Sequence, residues 1–122
     1  MIFLINGFCQ APNGAPNVKG AITFQLNLDA SILATPYGQV PASQILVFQL
    51  DANGNLVQPA QIYSNLELNP QNASGLGTYY YVTIYDANGA RMNEAPMVWQ
   101  FVEAANSTVD ISQMTPYLYP LV

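Results

Sequence analysis

Gly77-Thr78-Tyr79-Tyr80-Tyr81-Val82-Thr83-Ile84-Tyr85-Asp86-Ala87-Asn88-Gly89 decides the fold class: β-branched and aromatic residues run unbroken into an Asn-Gly pair. Such residues suit a pleated, half-buried surface, and Asn-Gly favours a tight turn, so the stretch predicts a strand entering a hairpin. Successive side chains of a strand point to opposite faces. Tyr80, Val82 and Ile84 therefore form the core-facing set, and Tyr79, Tyr81, Thr83 and Tyr85 carry their hydroxyl tips on the other face. The same device stands earlier, where Ile45-Leu46-Val47-Phe48-Gln49-Leu50 runs into Asp51-Ala52-Asn53-Gly54.

Outward from these two strands the chain keeps a short rhythm. Residues 2–10 predict a first strand, and Ala11-Pro12-Asn13-Gly14-Ala15-Pro16-Asn17 predicts a turn that folds it back, as a hairpin, onto residues 21–28. In that return segment Ile22, Phe24, Leu26 and Leu28 alternate with polar or small residues, the period-two pattern of a half-buried strand. Residues 29–43, with Pro36-Tyr37-Gly38 and Pro41, read as a long loop. Residues 55–58 pair back briefly before Pro59 interrupts the ladder, 62–68 are weakly strand-like, and 69–77 form a turn-rich link. Residues 97–102 predict a strand with Met97, Trp99 and Phe101 on one face, and 108–111 a shorter one. No segment sustains a helical period over three turns. The fold expected is all-β, an antiparallel β-sandwich or small barrel of about seven strands in two sheets.

A chain of 122 residues can enclose one core but not two, so residues 1–115 are taken as one sandwich domain. The remainder, residues 116–122, is apolar but bracketed by Pro116 and Pro120 and reads as a C-terminal arm. Hydrophobic residues make up 51 % of the chain and charged ones only 7 %, so Asn, Gln, Ser and Thr must carry its solubility. A surface so poor in Lys and Glu resembles one meant to be covered by neighbours, where such charges are depleted. A homo-oligomer or assembly component is expected. The net charge of −5, with Lys19 and Arg91 the whole basic complement, leaves nothing to neutralise a row of phosphates, and nucleic acid is excluded as a partner. Met1-Ile2-Phe3-Leu4-Ile5 has no basic residue before it and ends at Asn6, so it reads as a strand rather than a signal peptide or membrane span. Cys9, between Phe8 and Gln10, reads as a buried, inert thiol.

The residues that would name a reaction are missing. Without histidine, imidazole-dependent nucleophiles and the zinc sites built on imidazole cannot form. Two carboxylates could still run glycoside hydrolysis, and Asp86 with Glu94 or Asp51 with Glu67 are the conceivable pairs. The two Asp-Ala-Asn-Gly segments invite a calcium reading, but a calcium loop needs Gly at its sixth position and a closing Glu, and Leu56 stands sixth from Asp51. Turn chemistry is the preferred reading, with Asn-Gly supplying positive φ and Asp accepting backbone hydrogen bonds. No enzyme activity, cofactor or metal is expected. Tyr79, Tyr81, Tyr85 and Trp99 could form a sugar-stacking platform; the plainer reading puts Trp99 in the core and the tyrosines at strand edges or subunit contacts. Asn72-Ala73-Ser74 and Asn106-Ser107-Thr108 match the glycosylation sequon, which carries little weight without a secretory signal.

The segment Gly7-Phe8-Cys9-Gln10-Ala11-Pro12-Asn13-Gly14-Ala15-Pro16-Asn17-Val18-Lys19-Gly20-Ala21-Ile22 resembles the opening of transthyretin-like, carboxypeptidase-regulatory-type sandwiches. The order of that segment, Asn65-Leu66-Glu67-Leu68-Asn69-Pro70, the tyrosine strand, a Trp-bearing strand and Val109-Asp110-Ile111 resembles small β-sandwich modules, Ig-like or transthyretin-like, of tailed-bacteriophage virion proteins. The resemblance spans nearly the whole chain. It implies a non-enzymatic role in capsid decoration or in tail or fibre attachment, in the virion, with other virion proteins as partners and no catalytic residues to carry over. The interaction residues expected are Tyr79, Tyr81 and Tyr85 on the sheet and Tyr117, Leu118, Tyr119 and Leu121 on the arm. A receptor- or glycan-binding module is the alternative.

Overall fold

Phe24 stands at the centre of the molecule, its ring centroid 5.7–6.0 Å from those of Phe48, Tyr80, Trp99 and Phe101. A computed structural model of the chain describes residues 1–7, 19–35, 37–70, 77–92 and 97–113. In chain order its strands are β1 (Ile2–Ile5), β2 (Ala21–Leu26), β3 (Ala30–Ile32), β4 (Gln39–Val40), β5 (Ile45–Gln49), β6 (Gln61–Ile62), β7 (Leu68–Pro70), β8 (Tyr80–Tyr85), β9 (Met97–Trp99) and β10 (Thr108–Asp110). Single 3₁₀ turns occupy Asn65–Glu67 and Ile111–Gln113. The molecule is all-β.

The main sheet has the order β5-β2-β8-β9, antiparallel throughout. Its register follows the alternation in the sequence: Ile22 lies opposite Ile84 and Phe48, and Phe24 opposite Val82 and Leu46. Ile22, Phe24, Leu26, Tyr80, Val82 and Ile84 are all buried, as the period-two reading expects. Two smaller sheets close the core: β10-β1-β6, in which β1 runs parallel to β10, and β4-β3-β7. They contribute Ile2, Leu4, Ile62, Val109, Ala30, Val40 and Leu68 to the buried cluster.

Several expectations change. Strand β1 does not form a hairpin with β2; it pairs with β10 and β6 in another sheet, and the predicted turn at 11–17, like Cys9, lies outside the described residues. Alternation dictates only that Ile2 and Leu4 face inward, and any partner strand that covers them satisfies it. The supposed loop at 29–43 contains β3 and β4, paired with each other, with β3 also paired to β7. Strands of two or three residues are too short to show a period. The described residues thus hold ten short strands in three sheets, where about seven in two were expected. The strand expected at 97–102 stops at Trp99, and Phe101 is held instead by Asn65, whose N–H donates to the Phe101 carbonyl and whose Oδ1 accepts the Phe101 N–H at 2.7 Å. The amide Nδ2 of Asn65 donates to Thr78 Oγ1 at 2.8 Å. One buried side chain thereby completes a ladder that the backbone leaves open.

Candidate functional site: the outer face of the main sheet

Both Asp-Ala-Asn-Gly segments build the same turn, and its geometry shows what the aspartates do. Asp51 Oδ1 accepts the N–H groups of Asn53 and Asn55, and its carbonyl accepts the Gly54 N–H at 3.0 Å. Asp86 Oδ1 likewise accepts the N–H groups of Asn88 and Ala90, and its carbonyl that of Gly89. The positive φ falls on Gly54 and Gly89, both at 80°, and not on the asparagines. A type I turn followed by a left-handed glycine is the three-residue hairpin loop rather than the two-residue one. Each carboxylate here closes its own turn.

Of the carboxylate pairs considered, Glu94 lies outside the described residues, and Glu67 is engaged elsewhere. Its Oε1 accepts from the N-terminal ammonium at 2.8 Å and its Oε2 from the Ser64 N–H at 2.8 Å. Burial raises the Glu67 pKa, but those hydrogen bonds and the ammonium charge outweigh it and hold the carboxyl below its ordinary value. Asp110 is held low by hydrogen bonds from Ser112 and from Asn6 Nδ2. Burial pushes the Tyr80 hydroxyl far up, with the Glu67 charge adding to it, and that hydroxyl donates to the Tyr63 carbonyl at 2.6 Å. These groups stabilise the fold. Among the described residues no three His, Cys, Asp or Glu side chains stand close enough to share a metal ion.

Of the residues expected to make contacts, Tyr79, Tyr81 and Tyr85 lie on one surface, the outer face of the main sheet. Pairing sets Ile45, Gln25, Tyr81 and Val98 in one row across the main sheet, Val47, Thr23 and Thr83 in the next, and Gln49, Ala21 and Tyr85 in a third. Tyr79 extends the face, since it continues the β8–β2 ladder opposite Asn27 and its ring meets that of Tyr81 edge-on at 5.6 Å. The first two rows carry no charge, the third continues past Tyr85 to the exposed Arg91, and Val98 at the end of the first row is fully buried. Tyr79, Tyr81 and Tyr85 are half-buried, whereas Ile45 and Val47 are 56 % and 54 % exposed. Trp99 points into the core and is fully buried, so it cannot stack on a ligand. Tyr117, Leu118, Tyr119 and Leu121 lie outside the described residues.

Ile45 and Val47 were not singled out by the sequence, although a signal was there. The run from Ile45 to Phe48 is apolar at every position, so both faces of β5 had to be apolar. The strand is also at the edge of its sheet. Leu50 donates to the Gly20 carbonyl on the β2 side, so backbone groups of Phe48 and Leu46 point to β2 and those of Ile45 and Val47 point away. Consistently, the Gln49 carbonyl accepts the Val57 N–H on that outer side. Proteins usually guard such edges with charge, Pro or a bulge, and Ile45–Gln49 has no charge and no Pro.

No protein-family model matches the chain, and neither a curated protein nor a solved structure is significantly similar to it.

Proposed function

We propose that the protein is a non-enzymatic structural subunit of a tailed-bacteriophage virion, acting in capsid decoration or in tail or fibre attachment through protein–protein contacts. The observation that carries the docking role is the uncharged β5 side of the outer face of the main sheet, where Ile45 and Val47 are more than half exposed on an edge strand with no charge and no Pro. Exposed apolar surface without charge favours burial against another protein, because neither ion desolvation nor like-charge repulsion opposes contact. The phage assignment is supported by the resemblance described above. In the same reading the sheets make an Ig-like or transthyretin-like sandwich, and the arm with Tyr117, Leu118, Tyr119 and Leu121 adds a second contact. Partners are further copies of this chain and other virion proteins.

The decisive experiment combines the mass of the purified protein with its incorporation into particles. Val47→Lys and Tyr81→Lys should leave the fold intact and abolish both self-association and incorporation. A strictly monomeric protein, incorporated equally well by both variants, would defeat the reading. The edge-on Tyr79–Tyr81 pair supports a second one, a receptor- or glycan-binding module, for which a glycan array read against Tyr79→Ala and Tyr81→Ala is the test.

A further inference from the structure

On the opposite side of β5 from that face lies a cleft of about 200 Å³ to which all three sheets contribute. Ile32 and Val40 come from the β4-β3-β7 sheet, Leu46 and Tyr80 from the main sheet, and Gln61 from β6, with Tyr63 just beyond it. The walls are apolar where Ile32, Val40 and Leu46 meet. Gln39, Gln44 and Gln61, all exposed residues, add three primary amides to the lining. Within the described structure these amides make no hydrogen bond, unlike those of Gln25, Gln58 and Gln100, each of which donates to a backbone carbonyl. The ionised groups nearby, the Met1 ammonium and Glu67, bind each other.

From this arrangement we infer that the cleft is a binding site for one neutral sugar ring. A pyranose has an apolar C–H face and a rim of vicinal hydroxyls that both donate and accept. The cleft offers the complement, apolar walls and amides that each carry donors and an acceptor. An anion finds no uncommitted cation, since the ammonium is already paired with Glu67. The cavity holds the space of roughly six or seven waters, below the range of drug-sized ligand pockets, which restricts the ligand to a single ring. With about a dozen heavy atoms and a solvent-open rim, a dissociation constant in the millimolar range is expected. This site is separate from the outer sheet face and does not depend on where the protein docks.

The test uses the full chain labelled with ¹⁵N and the side-chain amide signals of its glutamines. Methyl glycosides of glucose, galactose, mannose and N-acetylglucosamine are titrated in turn. At least one should shift the Gln39, Gln44 and Gln61 amides in a saturable way, with Gln25, Gln58 and Gln100 unmoved. Gln44→Ala and Gln61→Ala, exposed positions whose backbone spectra report that folding is retained, should each weaken that binding ten-fold or more. Absence of saturable shifts with all four glycosides at concentrations far above millimolar overturns the assignment. Affinity unchanged in both variants overturns it too, as do shifts of the same amides by a synthetic peptide of residues 116–122 but by no glycoside.

Discussion

Replacing Asn65 with Ala tests the reasoning most directly, because that side chain substitutes for missing backbone pairing. Asn65 is 8 % exposed, and it joins a 3₁₀ turn to the segment after β9 and to the entry of β8. In Asn65→Ala the Phe101 N–H loses its acceptor in a buried setting, and Thr78 Oγ1, on a residue 1 % exposed, loses its donor. An orphaned buried N–H costs about 1–3 kcal/mol, while the Thr hydroxyl can rotate and recover part of its loss. The sum is about 2–4 kcal/mol. For 122 residues the entropy of unfolding near Tm is about 0.26 kcal/mol/K, so Tm should fall by roughly 8–16 °C. Calorimetry on the variant measures this, with the exposed Asn69→Ala as the control expected within about 0.5 kcal/mol of the parent. A double-mutant cycle with Thr78→Val should show a coupling of about 1 kcal/mol. If Asn65→Ala costs no more than Asn69→Ala, the ladder-completing role is wrong.

Two glycine substitutions should separate close approach from backbone conformation. A Cβ on Gly20 would collide with the Tyr85 carbonyl oxygen, so Gly20→Ala must push β2 and β8 apart, at about 3 kcal/mol in urea unfolding. Gly89, at φ 80°, has open space around it, and Gly89→Ala should cost only the left-handed penalty of about 1–2 kcal/mol. Equal losses would contradict the geometry. Asp86→Ala removes the acceptor for two exposed N–H groups that water can reach, so it should destabilise the fold by only about 1 kcal/mol, and Asp51→Ala by a similar amount. A much larger loss shared by both, reversed by calcium, would reinstate the metal reading. In acid, the lowered pKa of Glu67 means that its contribution is present above the ordinary carboxylate range and is lost as pH falls through the folded value. In alkali the raised pKa of Tyr80 acts oppositely: stability is full below the ordinary phenol range and declines above it, because only the unfolded chain ionises there. Spectrophotometric titration should find a tyrosine that ionises only on unfolding and that disappears in Tyr80→Phe; its absence from the wild type would refute the burial argument.

Alternation made the inward faces of β2 and β8 legible from residue types alone, though not their pairing, since residues 21–28 were expected to pair with residues 2–10. Ile22, Phe24 and Leu26 on β2 and Tyr80, Val82 and Ile84 on β8 must all face the core, because a one-residue slip would turn either set outward, while slips of two residues leave the pattern intact and the register to the tertiary structure. Both aspartate turns were equally local, since their bonds span four residues or fewer. The tyrosines of the candidate face followed from the same period. What lay beyond reading was the pairing of distant, short pieces. β1 finds β10 through Phe3 and Thr108, over a hundred positions away, and β3 finds β7 with three residues on each side.

Local residue types therefore determined that the chain is all-β, which side chains of β2 and β8 enter the core, and how the two hairpin turns close. Only the tertiary structure decided that β1 leaves β2 for another sheet, that β5 stands at an open edge with Ile45 and Val47 outward, and that three glutamines from separated strands line one cleft. The physical reason is range. Side-chain period and turn chemistry act over a few residues, whereas partner choice among short strands depends on which closure of the whole chain buries Phe24 and its neighbours with their backbone groups paired.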